Sequence, residues 1–462
     1  MSDKISKAYS SFFQNFALPI YDIARGTSRF KYSRILNSCQ WLPEREIELL
    51  QAKNLRTMYK HAFESVPYYN RLLKSRGLNS DSVQSVEDLQ KLPILTKADL
   101  RNHYSELISR TYPRRNLLKQ TSGGTGDQIR FLVTKEQLSW EISAEYRAYS
   151  WANYHIGDRC LTFWGSPIDI TKQRRFVNRV AKNFERILIA NTYIVTDKVL
   201  ENYAETMEKF RPDIIRGYSS SVYLMAKYLN KRGLRQVLPR AVITSAESLD
   251  RFQRETIEKA FGCPVFDYYG SREVGSMAAE CEKHNGYHVS AENVVMEYVK
   301  NGENVSSGEE GEIIVTNLRN FGMPFIRYAI GDVGKPSTEV CSCGRGLPLM
   351  ASIEGRISQF MAVYDKQSGR VIPVSSAAPG PLSMVLMNVP IERYQIVQES
   401  LSHLTIKAVK GKGYLQKHSD YVINSLRNIF GDDLDIDFEF LDDLPPLPSG
   451  KRSVFISKID SF

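Results

Sequence analysis

Lys119-Gln-Thr-Ser-Gly-Gly-Thr-Gly-Asp-Gln128 sets two hydroxyl residues, Thr121 and Ser122, ahead of Gly123 and Gly124, followed by Thr125 and Gly126. Adjacent glycines let successive backbone N–H groups turn towards one point, and the hydroxyls add donors, a combination suited to phosphate oxygens. No Gly-Lys-Ser/Thr closes the loop at the spacing of a Walker A motif. Alone, such a hexad is more often a flexible surface turn than a nucleotide loop. The order of the segments after it decides between the two.

Phe131-Leu-Val133 follows as a strand. From Leu117 to about Thr316, strand-like runs such as Cys160-Leu-Thr-Phe-Trp164, Ile187-Leu-Ile-Ala190, Ile214-Ile-Arg-Gly-Tyr218, Ala241-Val-Ile-Thr244 and Val265-Phe-Asp-Tyr-Tyr269 alternate with helical stretches. That alternation predicts an α/β fold with largely parallel sheets. Upstream, residues 1 to about 110 read as helical; Val66-Pro67 ends one helix and Thr96 caps another. Beyond Glu312 the pattern turns strand-rich, and the composition shifts around Gly355-Arg356. The expectation is a large multi-sheet domain over 1–355 and a small α+β lid domain over 356–462, with strands, a helix and a further strand in that order.

At 462 residues, 42% hydrophobic and 24% charged, the chain has the composition of an ordinary globular protein long enough for two or more domains. The net charge of +9 is spread along the sequence, which suggests attraction to small anions and argues against a nucleic-acid partner. The N-terminus lacks the pattern of a signal peptide. The most apolar later segment, Val371 to Ile391, carries Pro373, Pro379, Pro381 and Pro390 and cannot be a membrane helix. A cytoplasmic location is expected. Thr171 to Arg186 reads as a basic amphipathic helix with Phe176, Val177, Val180 and Phe184 on one face, expected to be packed rather than membrane-bound.

Downstream lie Asp267-Tyr-Tyr-Gly-Ser-Arg-Glu-Val-Gly275, Arg327-Tyr-Ala-Ile-Gly-Asp332, Gly355-Arg356 and Pro445-Pro-Leu-Pro-Ser-Gly-Lys451. Each is an unremarkable turn by itself. Tyr269 can stack on a purine, and Glu273 can bind Mg²⁺ on phosphates. In this order, from about residue 40 to the end, the motif set resembles the adenylate-forming acyl- and aryl-CoA synthetases. Within them it is most similar to phenylacetate–CoA ligase and its relatives assigned to capsular polysaccharide biosynthesis.

The resemblance implies that a carboxylate attacks the α-phosphate of ATP, giving an acyl-adenylate and pyrophosphate, after which a thiol or amine takes the acyl group. No enzyme nucleophile is needed, so catalysis is positioning plus neutralisation of phosphate charge. It implies that Thr121, Ser122, Gly123, Gly124, Thr125 and Gly126 hold the pyrophosphate end. Ser245, Ala246 and Glu247 would line the adenine, and Tyr268, Tyr269, Gly270 and Ser271 the nucleotide, with Tyr269 on the base. Glu273 would bind Mg²⁺, Arg272 a phosphate, and Asp332 the ribose hydroxyls beside Arg356 at the hinge. Lys451 would bridge carboxylate and α-phosphate, a role that suits a compact charge on a long stem. The sequence departs from the family pattern at Asp127, where lysine is usual, at Arg272, where threonine is usual, and at Ser358 and Gln359, where an acidic hinge residue is expected.

Cys281-Glu-Lys-His284 and Cys341-Ser-Cys343 supply three thiolates and an imidazole, a structural zinc set, with His288 competing with His284 for the fourth position. Cys39, Cys160 and Cys263 are isolated, so no disulfide framework is expected.

The expected activity is therefore an ATP- and Mg²⁺-dependent carboxylic acid ligase. Its acceptor is left open among coenzyme A, a thiol on a separate carrier protein, and an amino sugar or amino acid. The alternatives are another nucleotide-using transferase, which would release ADP or need no acid, and a catalytically silent scaffold of the same fold.

Overall fold

A computed structural model describes residues 8–112, 117–120, 129–164, 185–192, 197–234, 237–247, 249, 251–356, 360–365, 370–375, 381–386, 388–442, 444 and 455–458. Thr121 to Asp127, the basic stretch Thr171 to Phe184, Ser358, Gln359 and Pro445 to Lys451 lie outside these described residues.

Strands β1 (Leu117–Gln120) and β2 (Arg130–Val133) form an antiparallel hairpin whose connection is the Ser/Thr/Gly stretch. The main sheet has twelve strands. Its parallel half comprises β3 (Cys160–Phe163), β4 (Ile187–Ala190), β5 (Ile214–Tyr218), β6 (Ala241–Ser245) and β7 (Val265–Ser271), in the spatial order 4-3-5-6-7. Both faces are covered, which is why these strands read as near-continuous apolar runs. Leu161, Phe163, Ile215, Val242 and Val265 share a cluster with Val222 and Met225 of helix Ser219–Arg232 and Ile257 and Phe261 of helix Arg251–Phe261. The alternate residues Cys160, Ile214, Ile243 and Phe266 meet Tyr149 and Tyr154 at the end of helix Lys135–Trp151. Each such buried side chain contributes about 1.5–3 kcal/mol relative to exposure.

The antiparallel half continues from β7 through β8 (Gly275–Glu280), β9 (Tyr287–Val289), β14 (Leu349–Arg356), β13 (Tyr328–Ser337), β12 (Gly311–Asn317), β10 (Val294–Lys300) and β11 (Glu303–Asn304). Helix Glu44–Ser65 buries Leu55, Tyr59 and Ala62 in one cluster with Val294, Ile313, Val315 and Tyr328 of these strands. It stops before Pro67, which starts the next helix at once. Thr96 closes a capping box with Asp99 ahead of helix Lys97–Asn102.

The main sheet's last residue is Arg356. After a two-stranded ladder of β15 (Phe360–Asp365) and β16 (Arg370–Ser375), a separate four-stranded sheet has the order 19-18-17-20. It is built from β17 (Ile391–Ser400), β18 (His403–Lys410), β19 (Asp435–Phe440) and β20 (Phe455–Ser457). Helix Gln416–Phe430 buries Val422 and Leu426 in the cluster that holds Ile396, Leu404 and Ile406.

Helix Lys135–Trp151 is locked to the turn after β9 by an ion pair. Arg147 Nη1 lies 2.5 Å from Glu292 Oε1, with both side chains 1% exposed, and Nη2 donates to Ser290 Oγ at 3.1 Å. Glu292→Gln leaves that guanidinium buried without its counter-charge, and the expected loss is about 3–5 kcal/mol. Urea unfolding monitored at unchanged slope measures it. A loss below about 1 kcal/mol would mean that the pair is replaceable in place.

Candidate active site

Parallel strands direct their carboxyl ends to one edge of the sheet, and in open α/β sheets the crevice outside that edge binds ligands. Here the neighbouring strand order reverses between β3 and β5, since β3 continues to β4 on one side and β5 pairs with it on the other. Trp164, just after β3, stacks on Tyr218 at the end of β5, with ring centroids 4.2 Å apart. The loops along this edge are stitched together. Ser221 Oγ bonds to Thr192 Oγ1 at 3.1 Å, and Ser219 Oγ donates to the Glu247 carbonyl at 3.1 Å. Ser245 ends β6 in register with Tyr218 and Tyr268, and Ala246 holds a left-handed φ of 70° as the chain leaves the sheet.

At β7–β8 the sheet changes from parallel to antiparallel, and the ladder carries a register shift between Tyr269 and Gly270. Tyr269 reaches across to β13, where its hydroxyl donates to Asp332 Oδ2 at 2.8 Å. Asp332 is the register partner of Arg356 on β14. Glu273 is buried in the turn, 3.4 Å from the Tyr328 hydroxyl that donates to it, and Arg272 beside it is half-buried. Ser271 Oγ accepts from the Val274 N–H at 3.1 Å and tightens the turn. Gly275 has φ +90°, and a Cβ there would lie 2.5 Å from Glu141 Cγ. Glu141 in turn binds Lys119 Nζ at 2.9 Å, so the stem of the β1–β2 hairpin is tied to the same turn. Asn317 Nδ2 donates to the Val274 carbonyl and Asn320 Nδ2 to that of Leu132, which closes the link between hairpin and turn.

Of the sequence-derived set, Tyr269 and Asp332 thus meet directly, Glu273 lies in the turn that follows Tyr269's strand, and Arg356 is the backbone register partner of Asp332. Tyr268 does not join them. Period-two alternation turns it to the other face, where its ring packs 5.3 Å from that of Tyr149. Arg327 is also committed elsewhere: it pairs with Glu297 at 3.0 Å and donates to the Leu92 carbonyl at 2.6 Å, both partners being buried. Tyr328, the partner of Glu273, was not singled out from sequence, although it adjoins Arg327 in the same motif.

Beneath Tyr268 and Tyr269 lies a buried polar network. Asp267 accepts from Thr244 Oγ1 at 2.7 Å and from the Tyr287 hydroxyl at 2.8 Å. Its backbone N–H donates to Glu280, whose carboxylate also pairs with Arg254 at 2.7 Å. Burial, reinforced by the Glu280 charge, pushes the Asp267 carboxyl up to about 6.

Three sulfurs and one ring nitrogen gather at the far ends of β8, β9 and β14. The ligand atoms of Cys281, His288, Cys341 and Cys343 all lie within 4.8 Å of one another. The nitrogen facing the thiols is that of His288, at 3.2 Å from Cys343 Sγ, and this corrects the choice of His284. His284 sits in the turn with φ 51°, its Nδ1 on Glu280 and its ring against Phe266. The His288 Nδ1–H donates to the Leu347 carbonyl at 3.3 Å, which leaves the Nε2 lone pair towards the sulfurs. Burial lowers the His288 pKa to about 4, so the ring is neutral and able to act as a ligand.

The fold is that of the adenylate-forming CoA ligases. The chain superimposes over 91% of its length on 91% of 2-hydroxyisobutyryl-CoA ligase in complex with 2-HIB-AMP and CoA, with a TM-score of 0.62 at 17% identity. The postadenylation state of that enzyme gives 0.59. Sequence narrows the class. Residues 377–458 match the CapK C-terminal domain. Protein CapK of Staphylococcus aureus is 26% identical over 420 residues, 89% of each chain, and the phenylacetate-coenzyme A ligase of Thermus thermophilus is 25% identical over 368 residues, covering 77% of this chain and 79% of that one. The protein is a homologue of both.

Because Asp267 holds its proton more tightly when folded (about 6) than in its ordinary state (3.8), the folded protein loses stability as pH rises between those values. The full effect, present above pH 6, is about 3 kcal/mol. Asp267→Asn, whose two hydroxyl neighbours can rotate to suit an amide, should remove this part of the pH dependence. Urea midpoints at pH 4.5 and pH 7.5 compare the two proteins, and equal slopes would sink the assignment.

Proposed function

We propose that the protein is an ATP- and Mg²⁺-dependent carboxylic acid ligase. A carboxylate oxygen of the substrate attacks the α-phosphorus of ATP, the bond to the bridging oxygen breaks, and pyrophosphate leaves. A thiol then attacks the acyl carbon and AMP departs. Coenzyme A is the acceptor this reading favours; a carrier-protein thiol or an amine is the alternative. The observation that supports it is that Tyr269, Glu273, Asp332 and the hairpin stem are tied to one turn, β7–β8, of a fold shared with adenylate-forming ligases.

In this reading Tyr269 underlies the adenine, and Asp332, oriented by the Tyr269 hydroxyl, takes the ribose hydroxyls. Ser245, Ala246 and Glu247 border the base, and Gly270 and Ser271 shape the turn beside the phosphates. Thr121 to Gly126 receive the pyrophosphate end, with Arg272 adding charge. Mg²⁺ would neutralise the phosphates from Glu273. The Trp164–Tyr218 pair at the strand-order reversal lines the acid pocket. The chain divides at about residue 356, and Lys451 arrives from the small domain. A cytoplasmic setting in surface-glycan assembly fits the CapK relationship. No helix among the described residues is long and apolar enough to cross a membrane.

Pyrophosphate release across a panel of carboxylic acids tests the reaction. Wild type should release it only with Mg-ATP and a cognate acid, and Lys451→Ala should fall by about 100-fold or more, the scale expected for removing a group aimed at developing charge. ADP as the product would overturn the ligase reading.

The three sulfurs and His288 fit a structural Zn²⁺, since a soft tetrahedral donor set with all four positions supplied by protein leaves no open site for catalysis. Native mass spectrometry should find one zinc per chain in wild type and in His284→Ala. It should be lost from His288→Ala and Cys341→Ser, with a lower melting temperature. Zinc loss from His284→Ala instead would contradict the ligand assignment.

A further inference from the structure

Phe12, Phe16, Ile20 and Ile23 are 57, 62, 68 and 84% exposed. They recur at i, i+4, i+8 and i+11 along one continuous helical run, a π-helical turn at Phe13–Ala17 leading into the α-helix Leu18–Arg25. Their common exposure places them on one outward stripe, with the Phe12 and Phe16 rings stacked at 5.6 Å.

The opposite face is anchored. Phe13 and Leu18 are buried with Ile156, and Ser10 Oγ donates to the buried Asp158 at 2.8 Å. The contact is close enough that a Cβ at Gly157 would lie 3.2 Å from Ser10 Cα. The stripe is therefore held outward by a docked helix, and four large side chains are left facing water.

The exposed charges of this helix and the next are of one sign, while Arg29 is buried against Asp22 and Glu185. Residues 8–43 contain Arg25, Arg29, Lys31 and Arg34 against a single acid, Asp22. Asp22 is buried and accepts from the Phe30 N–H at 2.7 Å, from Thr27 Oγ1 at 2.7 Å and from Arg29 Nε at 3.3 Å. Arg25, Lys31 and Arg34 are exposed, and Arg186 lies 5.1 Å over the Tyr9 ring on the same helix. An apolar stripe with exposed cations on its own helix and on the next matches an element lying in the interface of an anionic bilayer, with aromatic and aliphatic groups at the acyl boundary and arginine and lysine at the phosphates.

We propose that this N-terminal face docks the protein on an anionic phospholipid membrane. A second copy of the chain suits it less well. Four side chains fall short of the roughly 800 Å² per partner of a stable interface, and a two-fold contact would bring like charges together. The surface lies outside the ligase crevice, so its failure and that of the proposed activity are separable.

Sedimentation of the full chain with vesicles tests the proposal, using phosphatidylcholine alone against phosphatidylcholine with about one-third phosphatidylglycerol. Wild type should bind the anionic vesicles and bind the neutral ones much more weakly. A variant combining Phe12→Ser, Phe16→Ser, Ile20→Ser and Ile23→Ser should lose about tenfold or more of that partitioning. Arg25→Glu, Lys31→Glu and Arg34→Glu together should abolish the preference for anionic lipid. Unchanged circular dichroism and unchanged pyrophosphate release would show that both variants remain folded. Wild type that stays in the supernatant, or a serine variant that binds as well as wild type, overturns the proposal. A concentration-dependent dimer that the serine variant makes monomeric, without vesicle binding, assigns the stripe to a second copy instead.

Discussion

A single sheet here pairs its strands in parallel up to β7 and antiparallel from β8 onward, and the site depends on where that reversal falls. Parallel pairing sends the ends of β3, β5, β6 and β7 to one edge. The return at β8 is made by a short turn, so Glu273 is held at that edge rather than carried away by a helix. Antiparallel pairing then brings β13 back across the sheet, and Asp332 arrives opposite Tyr269 although 63 residues separate them in sequence. The 2.8 Å bond between them is the seam between the two halves. The requirement for glycine at 275 has the same origin: the space a side chain would need is filled by Glu141, which holds Lys119 and with it the β1–β2 hairpin.

The polar groups of this region divide by what surrounds them. At the edge of the sheet Asp332 and Arg272 are half-buried. One layer below, Asp267 and Glu280 are buried, and two carboxylates so close are tolerated because Arg254, Thr244 and Tyr287 supply charge and donors. The arginine of the Arg327-Tyr-Ala-Ile-Gly-Asp332 segment belongs to this supporting layer. Its guanidinium is consumed by Glu297 and by the carbonyls of Leu92 and Gln90, joining the segment that precedes helix Lys97–Asn102 to the strand that carries Asp332.

Alternation of apolar strands with amphipathic helices was legible because each signal is local: the runs at Cys160, Ile214, Ala241 and Val265 are strands buried on both faces. The ordered motifs were legible for a different reason, since each is a turn whose glycines and polar residues announce themselves. What spacing could not supply was direction. Tyr268 and Tyr269 are adjacent and chemically equal, and only the pleat decides which one faces Asp332. His284 and His288 are four residues apart, and the choice between them depends on the left-handed turn at His284, which sends its ring to Glu280 while β9 carries His288 inward. Tyr328 escaped notice because its role requires a partner, Glu273, from a strand pair 55 residues away.

The two ends of the antiparallel strands have opposite assignments, and that explains how a stiff platform can serve a reaction in two steps. At one end Cys281, His288, Cys341 and Cys343 come together beside β8, β9 and β14, and Arg345 adds contacts there: it pairs with Glu282 at 3.0 Å, bonds to Gln40 and lies 4.9 Å over both Trp41 and Trp151. At the other end the same strands present Gly275 and Arg356. Arg356 is still in register with Asp332, so the backbone is fixed by the ladder up to the last residue of the sheet. Asp332 and, through it, Tyr269 are thereby held to the same ladder. A two-step ligation is served by such a platform, because a surface held by ladder and buried side chains keeps its geometry from one step to the next.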